Sequence, residues 1–210
     1  MTDGGGRAGG RRRQRLPSRG RPHREPRPLV RIVCEGRKTE PNYFRAIKRE
    51  LRLSNVNVDH EPSCAALVRS VAAGHAWRGR YGQRFSQIWC VLDDDARPRI
   101  GEVLAEMRRE KIRIAFSNPC FELWYLLHFA EQRASLTSVE ALRELKKHMT
   151  NYTKSADVFD LLAGRQDKAV KRAEALRKSH ERNGRAPTDN PSTSADVLVT
   201  YLNSLVETKR

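Results

Sequence analysis

Four short strand-like runs, each followed by a helical segment, constrain this chain more than any other feature. The first is Leu29–Cys34, and Tyr43, Phe44, Ile47 and Leu51 follow it at helical spacing between Thr39 and about Leu53. Thr39 suits a helix N-cap, and Pro41 suits a first helical turn. The alternating Asn55–Glu61 stretch reads as a second strand. Ser63 is placed to cap a helix running to about Trp77, with Leu67, Val68 and Val71 on one face. After a basic loop, Gly79–Arg84, the Ser86–Leu92 run is the strongest strand signal. It leads through Asp93-Asp94-Asp95 into an amphipathic helix, Arg99–Glu110. Lys111–Phe116 is the fourth strand. Asn118 as N-cap and Pro119 at the first helical position signpost an apolar helix, Cys120–Phe129. Strands alternating with helices predict a three-layer α/β/α fold on a mainly parallel four-stranded sheet with right-handed crossovers.

The chain outside this block has a different character. Residues 1–28 hold Gly4-Gly5-Gly6, Arg11-Arg12-Arg13 and almost no apolar side chains, so they cannot offset the entropy of ordering and are expected to be disordered. Residues 29–130 form the expected core. Residues 131–210 read as a charged helical extension of the same domain: Leu136–Met149 and Asp157–Arg182 are helical in pattern, Asn183–Ser194 is a loop, and Ala195–Val206 is a short amphipathic helix. That extension fits either helices packed on the sheet or a small basic appendage.

The 210 residues carry a net charge of +16, which points to a polyanionic partner, nucleic acid before membrane. The nine arginines of the tail, against Asp3 and Glu25, suit phosphate contacts without sequence preference, and they equally suit a solvated leader. Cys34, Cys64, Cys90 and Cys120 form no CxxC pair, which argues against a zinc site. No signal peptide is visible and no apolar run approaches bilayer length, so a cytoplasmic, reduced protein is expected. There is no GxxxxGK[ST] phosphate loop, and no strand leads into a Rossmann-type GxGxxG turn.

The candidate chemistry lies where the strands stop. The first strand ends in Glu35-Gly36, the third in Asp93, Asp94 and Asp95, and the helix after the fourth carries Glu122 in its first turns. Carboxyl ends of parallel strands share one edge, and ligands of open α/β sheets bind there. Carboxylates gathered at one edge repel unless a cation neutralises them, and a hard divalent ion with oxygen ligands does so. Lys38, with Arg37, stands beside Glu35 and suits contact with a phosphate. Each residue also has a plain structural reading: the aspartates as a turn and helix cap, Glu122 and Glu40 as first-turn helix acids, Lys38 as a solvated turn. His128, six residues past Glu122, faces elsewhere on the helix and reads as structural, as do Phe121 and Trp124.

Three blocks of sequence carry a resemblance. Cys34-Glu35-Gly36-Arg37-Lys38-Thr39-Glu40-Pro41-Asn42-Tyr43-Phe44 resembles the opening motif of the RloB-like family. Ser117-Asn118-Pro119-Cys120-Phe121-Glu122-Leu123-Trp124-Tyr125-Leu126-Leu127-His128-Phe129 resembles its second block, and Asn190-Pro191-Ser192-Thr193 its C-terminal block. Tyr152-Thr153-Lys154 is similar to a smaller Tyr-x-Lys element. The resemblance implies a Toprim-like fold with Glu35, Asp93 and Asp95 as Mg²⁺ (or Mn²⁺) ligands, and Glu122 as a further acid. It also implies action on RNA or DNA phosphodiesters, a place in anti-phage defence or abortive infection, and an ATPase encoded nearby as partner. The alternative function is a non-catalytic component that binds nucleic acid or that ATPase. Where relatives carry another acid or His after the DxD, this chain has Ala96-Arg97.

Overall fold

The computed structural model describes residues 1, 28–61, 63–73, 77, 78, 82, 84–94 and 100–207. The expected disorder of the tail concerns residues that, apart from 1 and 28, lie outside that set. The central sheet has the order β2-β1-β3-β4-β5. Its parallel strands are β1 (Val30–Cys34), β2 (Val56–His60), β3 (Gln87–Asp93) and β4 (Arg113–Asn118). The fifth, β5 (Ser192–Thr193), runs antiparallel on the β4 edge, inside the stretch expected to be loop. The four-strand expectation is therefore corrected to five. A two-residue polar strand has no hydrophobic period to reveal it. Its place is fixed by backbone pairing and by the Ser117–Thr193 hydroxyl contact at 3.0 Å.

Both faces of the sheet are covered at its centre, which is why β1 and β3 read as nearly continuous apolar runs. Alternate residues part to opposite sides. Ile32, Cys34, Trp89, Val91 and Ala115 join one core; Val33, Ile88, Cys90, Leu92 and Phe116 join the other. Helix α1 (Thr39–Glu50) lies in the first core, whereas α2 (Cys64–Ala72) and α3 (Ile100–Arg109) lie in the second. This division follows from handedness. The step from β1 to β2 runs one way along the sheet and the later steps run the other way, so right-handed crossovers must put α1 and α2–α3 on opposite faces. Ser63 caps α2 as expected, accepting from the Ala66 amide at 3.3 Å.

The chain then returns to the α1 face with α4 (Glu122–Phe129). The expected helix start at Cys120, capped by Asn118, is corrected. Asn118 is the last residue of β4: its backbone pairs with Ser192 and its side-chain amide donates to the Thr188 carbonyl at 3.0 Å, while α4 begins at Glu122 with Phe121, three residues past Asn118, in the cap position. Residues 119–121 make the turn, through a cis Asn118–Pro119 peptide. Every residue of α4 from Glu122 to His128 is buried. A helix apolar all round must be enclosed, and this one lies among α5 (Ser138–His148), α7 (Gln166–Arg182) and the sheet. The helix expected over Asp157–Arg182 is split into α6 (Phe159–Ala163) and α7, with Gly164 closing the first. The last helix, α8 (Ala195–Glu207), buries Leu198, Val199 and Leu202 in the same core as β1 and α1. Among the described residues no helix is long and apolar enough to cross a membrane.

Candidate functional site at the carboxyl edge

Strand order reverses at β1, so the chain leaves β1 toward the α1 face and leaves β3 toward the α3 face. That divergence opens a crevice outside the carboxyl ends, the position where such sheets hold ligands. Since β4 also leaves toward the α1 face, the end of β3 is flanked on both sides. Asp93 occupies it, half-buried, in register with Ser117 of β4. The Asp94 amide donates to the Ser117 carbonyl at 2.9 Å, carrying the ladder one residue further. Asp95 lies outside the described residues.

On the other side, the Glu35 amide donates to the Val91 carbonyl at 3.0 Å, so Glu35 extends the β1–β3 ladder before the turn and is itself half-buried. A β-carbon added to Gly36 would clash with the Glu40 carboxylate, so any other residue here requires that side chain to move. Glu40 is a first-turn acid of α1, as its position suggested, but it is buried and folded back over that turn. Thr39 does not cap the helix as expected. Lys38 holds the cap position without a side-chain cap, and the Thr39 hydroxyl donates instead to the Lys154 carbonyl at 3.5 Å. Lys38 itself is exposed.

Glu122 opens α4 and is buried. The buried Tyr152 hydroxyl donates to its Oε1 at 3.2 Å, and the largely exposed Lys154 ammonium lies 3.9 Å from the same oxygen. The Tyr125 hydroxyl donates to the Thr39 carbonyl at 3.2 Å. Thus the loop after α5 ties the start of α4 to the start of α1. Tyr152 and Lys154 were visible only as part of a resemblance. Nothing in the local sequence says which acid a tyrosine 30 residues away will meet.

Two thiols show how close the acids are. Burial pushes the Cys34 thiol well up, and the carboxylates of Glu40, Asp59 and Asp93 push it further, with Arg45 opposing. Cys120 is raised by burial, then by Glu122 and Asp93. Asp93 acts on both, so the Glu40 end and the Glu122 end of the edge share one electrostatic environment. The Tyr152 hydroxyl is likewise raised by burial and then by Glu122. The structure brings Glu35, Asp93 and Glu122 to one edge and adds Glu40. Among the described residues, no group of three His, Cys, Asp or Glu side chains is arranged to hold a metal ion. The carboxylates on this edge offer oxygen donors, the type a hard divalent cation takes.

Fold and edge together define a class: a doubly wound α/β protein with carboxylates gathered at the point where its strand order reverses. The chain belongs to the RloB-like protein family, whose model matches residues 30–202, from β1 into α8. No curated protein and no solved structure gives a significant match.

Proposed function

We propose that the protein is a metal-dependent, Toprim-type nuclease that cuts phosphodiester bonds of RNA or DNA in anti-phage defence. The observation that carries this reading is the acidic edge fed by three strand ends in a chain of net charge +16. Glu35, Asp93 and Asp95 would hold Mg²⁺ or Mn²⁺, and their oxygen-only chemistry fits either ion. The ion, when bound, supplies Lewis-acid stabilisation of phosphate oxygens and a more acidic water. Tyr152 holds one oxygen of Glu122 in place, which makes Glu122 the residue to orient water. Lys38 at the start of α1 and Lys154 beside Glu122 supply positive charge for the substrate phosphate. The first amides of α1 add the partial positive charge of a helix N-terminus.

The test is incubation of the purified chain with RNA, including tRNA, and DNA in Mg²⁺ or Mn²⁺. Cleavage that disappears in Glu35→Ala and Asp93→Ala supports the reading. Loss of neither cleavage nor phage protection in those variants would end it. An ATPase encoded beside the gene is the proposed partner, checked by co-purification and by the appearance of cleavage only when both proteins are present. A binding-only component is the second reading, favoured by the excess of basic side chains. In that case acid substitutions leave protection intact, and reversing the charges of Arg11, Arg12, Arg13 and Arg15 abolishes it.

A further inference from the structure

Helix α7 carries positive charge that the acidic edge does not use. A cavity of about 430 Å³ lies between α7 and the segment that follows α4. Among the described residues lining it, Arg133, Lys171, Arg172, Arg182 and Arg185 are cationic, and Glu131 is the only carboxylate. Glu131 is already bonded to Arg133 at 2.9 Å. Cations grouped this way repel one another, and a polyanion relieves that repulsion. Two of them are held in place. Arg172 donates to the Leu127 carbonyl at 2.7 Å, at the end of α4. Arg185 donates to Asp189 and to the Asn190 carbonyl, each at 3.2 Å. Lys171 and Arg182 stand exposed at the rim. The volume falls within the range that accepts a nucleotide-sized group, roughly 300–1,000 Å³.

Arg185 of the cleft, through its bond to the Asn190 carbonyl, contacts the segment that pairs with β4. The Asn190 side chain clamps Leu136, accepting from its amide at 3.0 Å and donating to its carbonyl at 2.7 Å. Further along the same segment, Thr193 of β5 meets Ser117, the register partner of Asp93. One wall of the cleft therefore leads to the strand ends. We propose that this cleft is a second docking site for the sugar–phosphate backbone of a nucleic-acid strand, holding the strand while another of its phosphates lies at the acidic edge. This rests on the nucleic-acid reading above.

The experiment measures binding of the full chain to fluorescent single-stranded RNA and DNA by anisotropy, in EDTA, across a salt series. Lys171→Glu with Arg182→Glu is compared with Arg143→Glu and Lys146→Glu on α5, an equal change of charge elsewhere. The cleft variant is expected to bind about tenfold or more weakly. Its salt slope should be shallower by roughly 0.7 for each phosphate it no longer neutralises, with the α5 variant much closer to the parent. Equal weakening in both variants, or in neither, overturns the proposal. Displacement of the strand by a mononucleotide at equimolar concentration also overturns it, in favour of a nucleotide pocket. Cleavage by Glu35→Gln in Mg²⁺ is scored separately. Failure of cleft-dependent binding and failure of the nuclease reading are therefore distinguishable.

Discussion

The Tyr152–Glu122 contact lets the acidic edge be tested without knowing its substrate. Both residues are buried, and the hydroxyl donates to Oε1 at 3.2 Å. Tyr152→Phe keeps the ring, whose edge packs on Tyr125 at 5.9 Å between centroids, and removes only the donor. A hydrogen bond to a charged acceptor is worth ~1.5–3 kcal/mol, against ~1 kcal/mol for a neutral pair. The Lys154 ammonium compensates little, because it stands 3.9 Å from Oε1 on a side chain that is 69% exposed and screened by solvent. Glu122→Gln preserves shape and an acceptor oxygen but removes the charge. The phenylalanine substitution should then cost ~2 kcal/mol in the parent and ~1 kcal/mol in the glutamine background, a coupling of about 1 kcal/mol. In a chain of this size that cost lowers the parent's melting temperature by roughly 4–8 °C. Urea and thermal unfolding of the four proteins near neutral pH read the cycle. A coupling under about 0.3 kcal/mol, within ordinary additivity, would show that Tyr152 only fills space and would refute the claim that it positions a charged Glu122.

Other consequences of the geometry are as direct. Gly36→Ala drives a methyl group into the Glu40 carboxylate and should lower stability by ~1–3 kcal/mol, with Glu40→Ala in the same chain restoring much of that stability in thermal unfolding. His128 is buried, its Nδ1–H donating to the Trp124 carbonyl at 2.8 Å, and burial lowers its pKa from 6.5 to about 4. The unfolded chain therefore binds the extra proton between those values, so this stability is intact above the unfolded pKa and falls away as pH drops toward the folded one. The decrease between about pH 7 and pH 5 is ~2 kcal/mol, seen as a steeper acid dependence of urea unfolding than in His128→Asn. Equal slopes in the two proteins would count against it. If the acids at the strand ends hold a divalent ion, Mg²⁺ or Mn²⁺ should raise the melting temperature of the parent by mass action and leave Asp93→Asn unmoved.

The sequence showed what burial writes into it. Strands β1 and β3 are covered on both faces, so nearly every position is apolar and the runs cannot be missed; the same holds for α4. Elements held by polar contacts leave no such trace. Strand β5 is a serine and a threonine defined by partners on β4, and α4 starts at Glu122 rather than Cys120 because pairing with Ser192 keeps Asn118 in β4. The acids were legible one by one, and parallel pairing alone put them on one edge of the sheet. Alternation of strands and helices did not fix which strand ends are neighbours. That depends on the order β2-β1-β3-β4, in which β3 sends its chain to one face while β1 and β4 send theirs to the other. Asp93 thereby comes to lie between the turns carrying Glu35 and Glu122, and both Cys34 and Cys120 register its charge. Moving β3 to the sheet edge would leave every motif intact and separate the acids. The site is thus a property of strand order, and the hydroxyls that line it, from Thr193 to Tyr152, come from the C-terminal segments that close over that order.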